Sequence, residues 1–189
     1  SSSDVNMIIG VDSFRRIATE INYPKSNYEA TLTSGSWVVS APIDFIRVDR
    51  NSDVTYYNGT TVNKLTPKQL FDIGRENVLD AVPSTPENYF MESEAKIGIY
   101  PPCTSGMVVI PYVKEPVVLS SDGDTNELTE RCYMASVYWT VSECMIADSD
   151  ERVIGYKQMY DTEIKRLKDE YRRIYEIPQD LKPHRDYRK

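Results

Sequence analysis

Two hydrophobic periods divide the sequence. From Ser36 onward apolar and polar side chains alternate in short runs, whereas between Asp124 and Ile177 apolar residues recur every three or four positions. The second pattern predicts two helices with almost nothing between them. The first runs from about Glu127 to Ala147, opened by Asp124 with Glu127 three residues on, a loose capping box. Its apolar positions (Leu128, Cys132, Ala135, Val137, Trp139, Val141, Met145 and others) go round most of the cylinder, so this helix is expected to be packed on several sides. The second helix starts after Asp148, with Glu151 as its N3 residue, and ends before Pro178. Val153, Tyr156, Tyr160, Ile164, Leu167, Tyr171 and Ile174 make one straight apolar stripe, which suits docking on its own domain better than a coiled coil. The opposite face (Lys157, Asp161, Lys165, Lys168, Asp169, Arg172) is charged and mixed in sign, as a solvated face should be.

Ahead of this pair the pattern is broken into short pieces. Residues 1–10 read as a loosely held arm, and Asp12 can cap a short helix in which Phe14, Ile17, Ala18 and Ile21 share a face. Lys25 to Ser36 has the composition of a loop, with an extended piece around Ala30 to Thr33. Trp37 to Val39 and Ile43 to Val48 read as strands, and the stretch from Asp53 to Leu65 reads as a hairpin turning at Asn58-Gly59. Thr66-Pro67-Lys68-Gln69 has the form of a helix opening, so a short helix is expected over 67–73. Tyr89 to Glu92, Ala95 to Tyr100 and Met107 to Lys114 complete an antiparallel meander, the last an edge strand or a bulged one because Pro111 has no N–H to donate. The expected fold class is α+β: two long antiparallel C-terminal helices form the core with a short N-terminal helix, and the antiparallel β meander and hairpin are an appendage to it. Four segments follow: an arm and short helix over 1–35, the β region over 36–120, the helical hairpin over 121–177, and an extended C-terminal tail over 178–189.

Composition narrows the function classes. The 189 residues carry a net charge of -7, and it is uneven: residues 150–189 hold 11 basic and 9 acidic side chains, which leaves the rest at -9. An acidic body lacks the clustered Lys and Arg of a nucleic-acid reader and suits a protein that DNA must pass without sticking. No run of 18 apolar residues and no signal-peptide core is present, so neither a membrane span nor that secretory route is expected. Cys103, Cys132 and Cys144 have no metal or redox spacing and read as small buried hydrophobes. His184 is the single histidine and lies in the tail, which argues against histidine-based nucleophilic or metal sites in the folded body. Asp122-Gly123-Asp124-Thr125-Asn126 begins like a calcium loop and then has Glu127 at position 6 and Tyr133 at position 12, so it reads as a polar turn. Glu92 and Glu94 would lie about 6.6 Å apart along one strand face, a spacing that inverting glycosidases use. No phosphate-binding glycine motif occurs. No catalytic, cofactor or metal residue is therefore assigned, and no enzyme activity is expected.

Six short stretches, taken in order, resemble a known family. Ala41-Pro42-Ile43-Asp44-Phe45-Ile46-Arg47-Val48, the Asn58-Gly59 hairpin and Leu65-Thr66-Pro67-Lys68-Gln69-Leu70 are similar to the first half of the head-to-tail adaptor (connector) proteins of tailed bacteriophages. Pro86-Glu87-Asn88-Tyr89 with Ile97-Gly98-Ile99-Tyr100-Pro101-Pro102, and then Tyr112 to Leu119, are similar to its second half, with the two closing helices following. The helical region before Thr31 is shorter than that family usually shows. The resemblance implies a structural virion protein at the head–tail junction, assembled in the bacterial host cytoplasm. It implies a homo-oligomeric ring, typically of twelve copies, that docks beneath the portal protein and extends its channel toward downstream tail or nozzle proteins. DNA would pass without sequence-specific binding, and no membrane or cofactor is involved. By the same resemblance residues 178–189 would be the portal-binding tail, with Leu181, His184, Arg185, Tyr187 and Arg188 as anchors. The alternatives are another virion component, such as a tail-completion or minor head protein, and a glycan hydrolase built on Glu92 and Glu94.

Overall fold

The computed structural model describes residues 13–118, 124–148 and 150–175. They form two compact units, one running from Asn22 to Pro116 and one built from the flanking segments on both sides of it. The inner unit is β-rich. Its strands are β1 (Lys25–Leu32), β2 (Val38–Ser40), β3 (Phe45–Val48), β4 (Thr55–Tyr57), β5 (Val62–Lys64), β6 (Thr66–Pro67), β7 (Asn88–Ser93), β8 (Lys96–Tyr100) and β9 (Gly106–Lys114). Two short helices, α2 (Leu70–Ile73) and α3 (Arg75–Asp80), interrupt the series. The outer unit holds α1 (residues 13–21), α4 (Thr129–Ala147) and α5 (Val153–Tyr175).

The strands sort into two sheets. One has the order β1-β9-β4-β5, with β3 sharing the same side of β9 as β4; the other has the order β2-β8-β7-β6. Alternation along the strands points Leu32, Tyr56, Val108 and Ile110 of the first sheet and Val39, Ile97 and Ile99 of the second into one buried cluster. A second cluster, Ile73, Val78 and Phe90 with Trp37, Leu70 and Tyr100 against it, joins α2 and α3 to the other face of the second sheet. Gly98 of β8 lies on that face because the Phe90 ring, on the paired residue of β7, fills the space its Cβ would need: a Cβ there would stand 2.2 Å from the ring.

β9 departs from the expected meander. β7 and β8 pair as a hairpin, but β9 belongs to the other sheet, between β1 on one side and β3 and β4 on the other. It is therefore a central strand, and Pro111 is accommodated by a gap: β3 pairs with the stretch 112–114 and β4 with 107–109, so no ladder donor is required at 111. The Pro111 carbonyl faces that gap and accepts the Asp49 amide at 2.9 Å. β1 is a full eight-residue strand where the composition of Lys25 to Ser36 read as loop. Its inward positions, Tyr28, Ala30 and Leu32, do alternate with polar Asn27, Glu29 and Thr31, but Lys, Ser and Asn are weak strand formers and the contacts that override them come from β9. The Asn58-Gly59 hairpin forms, with a four-residue loop in which Asn58 Oδ1 accepts the amides of Thr60 and Thr61 at 2.9 and 2.8 Å. Thr66-Pro67 pairs in parallel with β7 instead of opening the helix, which starts at Leu70.

The expectation of a helical core carrying a β appendage is overturned. The two-sheet unit is the larger core, with Tyr56, Leu65, Phe90, Ile97, Ile99, Val108 and Ile110 all essentially inaccessible, and the helices close a smaller one. The physical reason is geometric. A helix buries one stripe against its neighbour, whereas nine strands in two facing sheets bury an inward side chain at every second position.

Candidate assembly surface

The helical unit is closed by the stripes the sequence predicts. Ile17, Ala18 and Ile21 of α1, Cys132 and Ala135 of α4 with Leu128 just ahead of it, and Tyr160, Ile164, Leu167 and Tyr171 of α5 are buried. α4 starts two residues later than expected, and Asn126 Oδ1 accepts the Leu128 amide at 2.9 Å. α5 is introduced by Asp150, whose carboxylate takes the Arg152 amide at 2.9 Å and its guanidinium at 2.6 Å. A polar knot fastens the three helices. Arg16 lies 3.9 Å over the Trp139 ring and donates to Glu20 at 3.1 Å, while Tyr160 Oη donates to the same Glu20 carboxylate at 2.9 Å. Burial, then the Glu20 charge, pushes the Tyr160 phenol well above its ordinary value, so it stays a donor. Ser13 and Ser136 share a buried hydrogen bond of 2.7 Å.

What the unit leaves open is the other side of α4. Its buried positions, Cys132, Ala135, Ser136 and Ser142, occupy one face. On the opposite face Tyr133 and Met134 are 59% and 43% accessible, Cys144 is exposed, and Val137, Val141 and Met145 are only partly covered. These residues step by three and four positions, so they form a continuous apolar stripe. The helix with apolar residues all round is thus packed on one side within its own chain, and its expected burial on several sides is not met there. Cys144 is consequently not the buried hydrophobe the sequence suggested, unlike Cys103 and Cys132. Burial raises the Cys132 thiol to about 11. Ile146, and Ile154 and Met159 of α5, are exposed as well. The charged half of α5 behaves as a solvated face, although its ion pairs centre on Arg166, which reaches Glu163 at 2.6 Å and Glu170 at 2.9 Å.

The other groups that might carry chemistry resolve into structural roles. Asp49 is a buried carboxylate, and it accepts the Ser52 hydroxyl at 2.6 Å, the Asn51 amide at 3.0 Å, the Asn22 side-chain amide and the Lys25 ammonium at 2.9 Å. Burial alone would raise its pKa, but these donors outweigh that and hold it at about 2. The four donors tie the end of β3 to the start of β1. Glu92 and Glu94 do not share a strand face: Glu92 is in β7 beside an irregularity in its register with β8, and Glu94 lies in the turn after β7. The tail residues Leu181, His184, Arg185, Tyr187 and Arg188, and the Asp122-Gly123 start of the calcium-like loop, lie outside the described residues. Among the described residues no helix is long and apolar enough to cross a membrane.

A protein made of a two-sheet unit and a helical unit whose central helix presents a second apolar face has the form of a part built to be joined to others. The sequence profile of the SU10 adaptor protein family matches residues 9–180. The chain belongs to that family. It is therefore a phage head-to-tail adaptor, a structural component of the virion that associates with portal and tail proteins. A search of curated proteins returns no match to this adaptor. The match runs over both units, and it includes α1 and most of β1, which lay ahead of the resemblance read from sequence alone, from about Thr31 to Tyr175.

Proposed function

We propose that the adaptor acts as a ring of identical copies, twelve in the reading the family resemblance implies, docked beneath the portal and continuing its DNA channel toward downstream tail or nozzle proteins, with no catalytic step. The observation that carries this reading is the second apolar stripe of α4: it is too extensive and too regular for a face meant to remain in water. A cyclic ring uses head-to-tail contacts, so each copy needs two different complementary surfaces, and the α4 stripe is one of them. The net charge of -7 supports passage of DNA without capture. Assembly is in the host cytoplasm.

In the same reading residues 178–189 are the portal-binding tail. Leu181, His184, Tyr187 and the charged Arg185 and Arg188 are its anchors, on a strip with Pro183 and too few apolar residues to fold alone. Purified adaptor mixed with isolated portal rings is expected to join them, as seen by electron microscopy, with twelve-fold symmetry. Deleting the residues after Ile177 is expected to abolish joining while leaving the circular dichroism spectrum unchanged. Joining that survives the deletion overturns the tail assignment; a different symmetry, or no ring at all, overturns the ring.

A further inference from the structure

The sheet edge formed by β1 is unusual for a chain that acts alone. It is eight residues long, pairs with β9 in unbroken register, and contains no proline and no bulge, two of the devices that blunt an edge; its charges are Lys25 at its start and Glu29. The other outer strands, β3, β5, β2 and β6, have two to four residues each. Which backbone groups β1 leaves open follows from its register. The Lys114 amide donates to the Pro24 carbonyl at 3.0 Å, so in the antiparallel ladder Ser26, Tyr28, Ala30 and Leu32 bond inward to β9. Asn27 stands opposite Pro111, whose carbonyl points the other way to Asp49, which fixes the same phase independently. The amides and carbonyls of Lys25, Asn27, Glu29 and Thr31 therefore point away from β9, and among the described residues no strand pairs with them. Tyr28 and Ala30, on the core side, are only partly covered at this margin.

We infer that this edge is completed by residues Val5 to Val11 of a neighbouring copy, which add as a strand beside β1. The segment has the composition the edge requires. Val5, Met7, Ile9 and Val11 are apolar at every second position, so one face of the added strand would continue the core past Tyr28 and Ala30, while Asn6, Ile8 and Gly10 would lie beside Asn27, Glu29 and Thr31. No charge falls between Val5 and Val11, so nothing repels Glu29. The twelve residues ahead of α1 can span about 40 Å when extended, enough to leave their own subunit. Pairing of two β1 edges would give a two-fold dimer and stop there, whereas an arm on one copy and an edge on the next are two unlike surfaces that propagate round a ring. The inference rests on the ring reading and adds to it a strap between successive copies.

Hydrogen exchange read at single residues by mass spectrometry tests it, on the oligomer formed by the full chain alone or on portal rings. The amides of Lys25, Asn27, Glu29 and Thr31 are expected to exchange as slowly as those of Ser26, Tyr28, Ala30 and Leu32. In a chain lacking residues 1–11 the four outward amides should speed up by ~100-fold or more while the inward four stay protected. An isotope-labelled chain without the arm, mixed into an oligomer of unlabelled full chains, should recover that protection, since the arm comes from next door. Asn27→Pro removes one outward donor and no bond to β9; it should release Lys25, Glu29 and Thr31 with the inward amides unchanged. The inference is overturned if an oligomer forms with its outward amides open, if protection persists without the arm or in Asn27→Pro, or if the labelled armless chain stays open in the mixed oligomer. Failure to oligomerise at all overturns the ring reading, and the strap with it.

Discussion

Asp49 shows how a single residue holds a sheet together and how little of that can be read from its neighbours in sequence. Its donors come from positions 22, 25, 51 and 52, and only the last two are close enough along the chain to suggest a local turn. Its carboxyl titrates at about 2 in the folded protein, below the ordinary 3.8, so the folded state favours the charged form. Stability from this group is fully present above pH 3.8 and is lost as pH falls through about 2. With the side chain wholly inaccessible, the shift corresponds to about 2 kcal/mol. Asp49→Asn is expected to lower the urea-unfolding free energy by about that much at pH 7, and the gap between variant and parent should narrow steadily below pH 4. A gap that does not change with pH would mean that shape, not charge, is what Asp49 contributes. By contrast, Asn58-Gly59 was legible directly: an Asx acceptor followed by a glycine, here at a φ of 95°, is a local solution that needs no distant partner.

Among the elements, α5 was the most legible. Its stripe of Tyr160, Ile164, Leu167 and Tyr171 is buried as the 3.6-residue period demands, and its charged face is solvated. α4 was legible in a different sense. The apolar positions all round it were a true signal, but one of its two apolar faces stays open within this chain, and a sequence does not say whose atoms, if any, cover a face. Met134→Glu places a charge at the middle of the open stripe without touching the buried one. Thermal unfolding of the monomer should change by no more than about 0.5 kcal/mol, while subunit association, followed by sedimentation, should weaken by about tenfold or more. Undiminished association would move the ring contact elsewhere. β1 and the placement of β9 were not legible, because strand pairing between positions 25 and 113 is a property of the tertiary fold and leaves only weak alternation behind. Pro111 misled for the same reason: the rule that proline avoids central strands holds, but the gap between β3 and β4 satisfies it in an unforeseen way.

At the scale of the whole molecule, sequence reasoning found the family and most of the elements and misjudged their weight. Long helices are conspicuous in a sequence, and short strands are not, yet the strands close the larger core. That core belongs to one uninterrupted segment, from Asn22 to Pro116, with its own apolar cluster. Residues 22–116 expressed alone are expected to fold, giving a β-type circular dichroism spectrum and a single cooperative urea transition. A broad, non-cooperative transition would show that the sheets depend on the helices. The tail anchors proposed above rest on resemblance alone, since a polar strip of that composition carries no apolar periodicity of its own.

The helical unit is assembled from both ends of the described chain, and that has a consequence for the order of events during translation. α1 leaves the ribosome roughly a hundred residues before α4, which at cellular rates is on the order of 5–20 s. Through that interval Ile17, Ala18 and Ile21 have no α4 or α5 to pack on, and by its end the two-sheet unit has all of its strands. As β9 is completed, the nascent adaptor thus carries an uncovered apolar helix face ahead of a β unit whose strands are all in hand, and that face waits for α4 and α5.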